Sequence, residues 1–175
     1  MTRSRTLYVL RHAKSSWDEP MQSDHDRPLA PRGRRAAELI ARYVSDERIE
    51  PELILCSTAR RARETLAAIP VGPAPRRFEP GLYHAGVDEL LTRLEAVDPQ
   101  VASVLLVGHN PALQMLVLRL AGSDVQLVPG ALEDVRRKFP TGALATLRLR
   151  SGWADLRAGG AELAGYVRPK ALQYR

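Results

Sequence analysis

The sequence predicts an α/β fold: a three-layer sandwich whose mostly parallel central sheet is flanked by helices on both faces. Three observations predict it. Short apolar runs at Leu7–Leu10, Leu53–Cys56 and Val101–Val107 have the length and character of strands buried on both faces. Between them, apolar residues recur at helical spacing, and this alternation argues for parallel strands joined by right-handed crossovers. The 175 residues fit a single domain, residues 1–175, able to bury its own core.

The elements follow in order. Leu7–Leu10 runs straight into Arg11-His12-Ala13-Lys14-Ser15. Trp17 to Leu29 is polar and punctuated by proline, hence loop, and Pro31-Arg32-Gly33 closes it. From Arg34, the residues Ala37, Ile40, Ala41 and Val44 share a face, predicting a helix to about Asp46 with Glu38 and Arg42 paired on its wet side. Leu53–Cys56 is the second strand. Ser57-Thr58 suits the cap of a helix that carries Arg60, Arg61, Arg63, Glu64 and Thr65 and ends before Pro70. Val71 to Pro80 is rich in Pro and Gly, with a short edge strand over Arg76-Arg77-Phe78. Val87 to Val97 is a helix with Leu90, Leu91 and Leu94 on one side.

Val101–Val107, the most apolar run, belongs at the centre of the sheet. Gly108-His109-Asn110-Pro111 follows, and Pro111 opens a helix through Leu113, Leu116, Val117 and Leu120 that stops at Gly122. Val125 to Pro140 is expected to be irregular, with one helical turn near Leu132 to Arg136. Ala143–Leu149 reads as the last strand, paired as a hairpin with Trp153–Leu156. Tyr166 to Lys170 is expected to lie on the surface as an extended tail.

Composition narrows the function. No apolar run approaches the ~20 residues of a membrane span, so no membrane partner is expected. The stretch Met1 to Thr6 leads into no signal core, and a cytoplasmic location is expected. The single Cys56 excludes an intrachain disulfide and a cysteine-cluster metal site, and suits a small buried residue better than a nucleophile. The net charge of +6 invites a nucleic-acid reading. However, the basic residues are spread along the whole chain with no dense run or interleaved aromatics, so no nucleic-acid partner is expected. Nearly all of the positive charge is Arg, with Lys only at 14, 138 and 170. Guanidinium groups suit bidentate contact with phosphate or carboxylate.

The three apolar strands all end in polar groups: Arg11-His12, Cys56-Ser57 with Arg61 one helical turn further on, and Gly108-His109. In a parallel sheet these ends share one edge, where α/β folds bind ligands. Two imidazoles and two guanidinium groups would converge there beside helix N-termini that attract anions. Such a pocket takes phosphate, with carboxylate as the rival.

This arrangement resembles the histidine phosphatase (phosphoglycerate mutase-like) superfamily. Leu10-Arg11-His12-Ala13 is similar to its Arg-His-Gly/Ala signature. Ser57 to Thr65 is similar to its Ser-x-x-x-Arg-Ala-x-x-Thr segment, which selects Arg61 over Arg60 and Arg63. Val107-Gly108-His109-Asn110-Pro111 is similar to its Gly-His segment. Arg-His-Ala-Lys-Ser, Asp26-Arg27-Pro28-Leu29, Arg32-Gly33, Gly-His-Asn-Pro and Phe139-Pro140-Thr141 most resemble the short SixA-like phosphohistidine phosphatases. The resemblance implies a phosphoglycerate mutase-like fold and a two-step transfer. Neutral His12 attacks phosphorus, and water then hydrolyses the phosphohistidine. Arg11, Arg61 and His109 hold the phosphoryl oxygens, and Lys14 and Ser15 are further candidates for phosphate binding. The resemblance implies no metal and no other cofactor.

Two departures bear on the leaving group. Many relatives carry Asn where this chain has Asp18, which either turns away or donates a proton as an acid. The usual acid of the family is a Glu after the second helix, and Glu79 is the candidate in that stretch. His25 and His84 are expected to be structural loop residues. Trp17 walls the pocket or caps the core, and Asp26-Arg27 braces the surrounding loop. Only Val71 to Gly86 is available as a lid, so the site is expected to be open and shallow. This favours a phosphorylated protein side chain over a small phosphorylated substrate. A phosphomonoesterase or mutase of the same superfamily and a non-catalytic phospho-ligand module are the alternatives.

Overall fold

Burial on both faces places the central strands between two helical layers. The computed structural model describes residues 4–122 and 127–174. Its six strands are β1 (Arg5–Arg11), β2 (Leu53–Ser57), β3 (Arg76–Glu79), β4 (Ser103–Gly108), β5 (Leu144–Leu149) and β6 (Ala161–Val167). They form one sheet in the order β3-β2-β4-β1-β5-β6. The first four positions of that order are mutually parallel. β5 runs antiparallel to β1, and β6 antiparallel to β5.

The helices are α1 (Pro31–Asp46), α2 (Arg60–Ala67), α3 (Val87–Glu95), α4 (Ala112–Ala121), α5 (Ala131–Arg137) and α6 (Pro169–Leu172). Successive strand residues point to opposite faces, and each face has its own core. Leu7, Val9, Leu53, Leu55, Val104 and Leu106 pack with α3, α4 and α5. Leu10, Ile54, Cys56, Leu105 and Val107 pack with α1, α2 and α6. The result is the expected three-layer sandwich.

The C-terminal half of the chain departs from expectation. The hairpin partner of β5 is β6, not Trp153–Leu156. Trp153–Asp155 is a 3-10 turn, because the Trp153 indole is buried and donates to the Val101 carbonyl at 2.7 Å. Tyr166 and Val167 belong to β6, and the residues beyond form α6, which packs on α1. No surface tail is found there. Alternation in β6 is hidden in the sequence by Gly165 and by a register shift opposite Thr146 and Leu147. The expected single turn near Leu132 is α5, seven residues long; Val125, the start of the expected irregular stretch, lies outside the described residues. α1 begins at Pro31, a turn before the apolar periodicity starts, with proline at its first position.

Register aligns the ends of three strands. Arg11 pairs with Gly108 across β1 and β4, and Cys56 pairs with Val107 across β2 and β4. The residues that follow β1, β2 and β4 therefore leave the sheet on a common edge. Beyond β1 the chain is clamped: Ser16 N–H donates to Pro28 O and Ala30 N–H to Lys14 O, each at 2.8 Å. These bonds close the loop over residues 17–27. Gly33 makes the close approach possible, since a Cβ there would lie 2.0 Å from the Lys14 carbonyl oxygen.

Candidate active site

The cleft at this edge is lined by Arg11, His12, Lys14, Ser15, Trp17, Asp24, Arg27, Arg61, Tyr83, His84, His109, Asn110 and Thr141, and has a volume of about 350 Å³. His12 lies at its floor. Its backbone N–H donates to Gly108 O at 3.1 Å, and Gly142 N–H donates to His12 O at 3.0 Å. The next N–H, of Ala13, donates to Thr65 Oγ1 at 2.9 Å, and that hydroxyl donates on to Arg61 O at 2.6 Å. Thr65 thereby ties the end of β1 to the turn of α2 that carries Arg61.

The His12 ring is fixed by its Nδ1–H, which donates to Ala13 O at 2.7 Å. That bond selects the tautomer whose Nε2 carries a lone pair. Nε2 faces Arg61, whose Nε stands 3.4 Å away. Burial pushes the His12 pKa down to about 3. The bond to Ala13 opposes this, while neighbouring His109 and the charges of Arg61 and Arg11 reinforce it. The ring is therefore neutral at physiological pH.

His109 stands 5.1 Å from His12 between ring centres. Its Nε2 lies 2.8 Å from Ser57 Oγ, and its Nδ1 lies 3.5 Å from Arg61 Nη2. Both contacts are satisfied when Nε2–H donates to Ser57 and Nδ1 accepts. Burial, followed by the charge of Arg61, lowers its pKa to about 4. Arg61 is buried and is held from behind by Asp24. Nη1 donates to Asp24 O at 2.6 Å, and Nη2 donates to Asp24 Oδ2 at 3.1 Å. A hydrogen bond from Tyr83, and then the Arg61 charge, keep the Asp24 carboxyl below the usual range. It is an acceptor in this setting, not a proton donor.

Arg11 enters from β1, with Nη1 donating to Phe139 O at 2.8 Å. Arg27 is buried against Ser15, to whose Oγ its Nη2 donates, and stacks 3.4 Å from the Trp17 ring centre. Arg11 Nε, Arg27 Nε and Arg27 Nη1 are buried donors without a hydrogen-bond acceptor among the described residues. Four cations face one carboxylate in this cleft, and the imidazoles of His12 and His109 are neutral. Such a site attracts a compact anion with several acceptor oxygens.

The chain matches the model of the histidine phosphatase superfamily (branch 1) over residues 7–83. The phosphohistidine phosphatase SixA of Escherichia coli (strain K12) is 30% identical over 150 residues, covering 82% of this chain and 84% of that protein. This chain belongs to the histidine phosphatase superfamily, in its SixA-like branch. It is a hydrolase of that superfamily. An uncharacterized protein of Mycobacterium tuberculosis (strain ATCC 25618 / H37Rv) is 38% identical over 164 residues, covering 92% of this chain and 100% of that one. Among solved structures, a Nakamurella multipartitia protein provisionally assigned as SixA superposes with a TM-score of 0.83. It is 36% identical, covering 95% of this chain and 96% of that chain. A SixA structure complexed with tungstate superposes with a TM-score of 0.74 at 26% identity, covering 95% and 99%.

In this SixA-like chain the fold brings together Arg11, His12, Arg61 and His109, with Lys14 and Ser15 also in the cleft lining. It does not bring in the two candidate acids. Glu79 accepts two hydrogen bonds from Arg93, each at 2.7 Å, and so ties the end of β3 to α3. Asp18 is exposed on the outer loop and does not line the cleft. His84, expected to be structural, lines the cleft beside Tyr83, with ring centres 4.0 Å apart. His25 does hold the loop, with Nε2 3.0 Å from Thr58 Oγ1. Trp17 walls the pocket and stays 69% exposed. Cys56 is fully buried, and burial pushes its thiol up to about 12, which removes it as a nucleophile. Sequence reasoning missed Asp24 and Tyr83, which hold Arg61 from a distant loop. Neither lies in a motif that names a role.

Among the described residues no group of three or more His, Cys, Asp or Glu is spaced to hold a metal ion, and no helix is long and apolar enough to cross a membrane.

Proposed function

We propose that this protein is a phosphohistidine phosphatase that acts on a phosphorylated protein through a covalent intermediate on His12. One observation carries the reading. The Nε2 lone pair of a neutral, tautomer-locked His12 faces the Arg61 guanidinium in a cleft also lined by Arg11 and Arg27. In the first step Nε2 attacks phosphorus and the bond to the leaving group breaks. In the second, water attacks the phosphohistidine and releases inorganic phosphate. Arg11, Arg61 and His109 hold the three equatorial oxygens as charge develops, His109 in the tautomer whose Nε2 accepts from the Ser57 hydroxyl and whose Nδ1–H turns to the anion, with Lys14 and Ser15 at the margin.

The lack of a placed acid bears on the substrate. Asp24 is the carboxylate in the lining, and it is kept ionised by Tyr83 and Arg61. A phosphoramidate leaves readily without a strong acid, whereas an alkyl phosphate ester does not. This favours phosphohistidine over phosphate esters. The small volume and open mouth of the cleft favour a side chain presented on a protein surface.

The test is to trap the intermediate. Brief reaction with a ³²P-labelled phosphohistidine protein, followed by alkaline quench, should yield labelled enzyme that is stable to base and labile to acid. His12→Ala should abolish it. Label retained in His12→Ala, or a base-labile adduct, would overturn the reading. Turnover of a sugar phosphate or nucleotide far faster than any phosphoprotein would favour the small-molecule phosphomonoesterase.

A further inference from the structure

A second cleft, of about 940 Å³, adjoins the first and shares Arg11, Lys14 and Thr141 with it. Its other charged lining residues are Arg32, Lys138, Arg168 and Lys170. They come from the start of α1, the segment after α5, and α6 with the residue before it. Among the described residues no acidic side chain lines it. All three lysines of the chain are found here. Among the described residues, Arg168 is the one of these six cations with an ion-pair partner, Asp134 at 3.6 Å. The first turn of α1 reinforces the field: Arg32, Arg34 and Arg35 stand there with no acidic residue. Cations at a helix N-terminus oppose the macrodipole, and a bound anion relieves that cost.

On the reading that phosphohistidine is the substrate, we infer that this lysine-lined cleft binds a carboxylate-rich segment of the substrate protein next to its phosphohistidine. Continuity places the two anions on one molecule, because Arg11 and Lys14 wall both clefts. The size favours a segment of chain over a single second phosphate, since this cleft is more than twice the volume of the phosphoryl site. The loop after β1 points to a protein rather than a small polyanion. Trp17 is 69% exposed at the mouth of the phosphoryl site, and Met21 is 96% exposed on the same loop. An aromatic and a thioether held in solvent suit a protein surface. The partner is thus gripped at three points: phosphoryl group in the small cleft, carboxylates in the large one, and apolar contact on the loop.

The test uses the full chain, the Lys138→Glu/Lys170→Glu double variant and the milder Lys138→Gln/Lys170→Gln. The substrates are phosphoramidate and two phosphohistidine peptides that differ in having an acidic or a neutral flank. The acidic peptide should be preferred about 10-fold or more in kcat/KM at low salt. The preference should shrink with added salt, shrink partly in the Gln pair and vanish in the Glu pair. Hydrolysis of phosphoramidate should stay within about twofold in all proteins, as for rim charges that leave the chemistry untouched. Equal rates on the two peptides, or a preference that survives in the Glu pair, would overturn the inference. So would tripolyphosphate being turned over faster than the acidic peptide. Fluorescence binding of an unphosphorylated acidic peptide supplies a readout without turnover. Tighter binding to the wild type than to the Glu pair supports the acidic subsite even if no substrate is hydrolysed, and that second result would sink the phosphatase reading alone. Equal binding removes the subsite.

Discussion

Lowering the pH should destabilise this protein through His12 in a way that a single substitution isolates. In the unfolded chain an imidazole takes up a proton as the pH falls through about 6.5. In the folded chain, burial delays that step for His12 to about 3. Between those values the unfolded state binds more protons, so stability falls as pH falls. The His12 contribution is intact above pH 6.5 and fully lost below pH 3. Integrated from pH 7 to pH 4, it amounts to about 3 kcal/mol. His109 and the depressed carboxylates add acid slopes of their own, but these are common to wild type and His12→Ala. Urea unfolding of both proteins, followed by fluorescence of the buried Trp153 at pH 7, 6, 5 and 4, gives the difference directly. The stability of wild type relative to His12→Ala should drop by about 3 kcal/mol across that range. A difference that stays constant with pH would mean that His12 titrates as it does in the unfolded chain. The claim that the fold keeps it neutral would then be wrong.

Three further outcomes are expected. Arg61→Met removes the guanidinium that faces both imidazoles and one of the partners of the Asp24 carboxylate; kcat/KM should fall by about 10²–10³ or more, measured on phosphoramidate. Gly33→Ala places a methyl group 2.0 Å from the Lys14 carbonyl oxygen. It should cost about 2 kcal/mol or more in urea unfolding, with a rise in KM as the loop after β1 is displaced. Because guanidinium groups rather than carboxylates dominate the cleft, dialysis against EDTA should leave turnover unchanged; a loss restored by a divalent cation would contradict the proposed mechanism.

The parallel core was legible because its signals are local. Leu53–Cys56 and Val101–Val107 are continuous apolar runs, and burial on both faces allows little else. Even the shared edge followed from topology, since parallel strands must end together and the residues after them must meet. On the antiparallel side β5 was legible and β6 was not. β6 carries a glycine and pairs through a shifted register, so its alternation is broken. Trp153 looks like strand sequence but is drawn inward to donate its indole N–H to the Val101 carbonyl, about fifty residues away in the chain.

The sequence by itself placed Arg11, His12 and His109 at strand ends, where local pattern puts them, and Arg61 in the first turn of the helix after β2. Only the tertiary structure decided the state of those groups and what surrounds them. Desolvation makes His12 neutral, and desolvation depends on everything packed around the ring. Asp24, Tyr83 and His84 reach the cleft from loops whose path no periodicity encodes. Glu79 is withdrawn by Arg93, an ion pair between a strand end and a helix that no motif announces. The three lysines, at 14, 138 and 170, are far apart along the chain, and they share a cleft because α6 folds back onto α1.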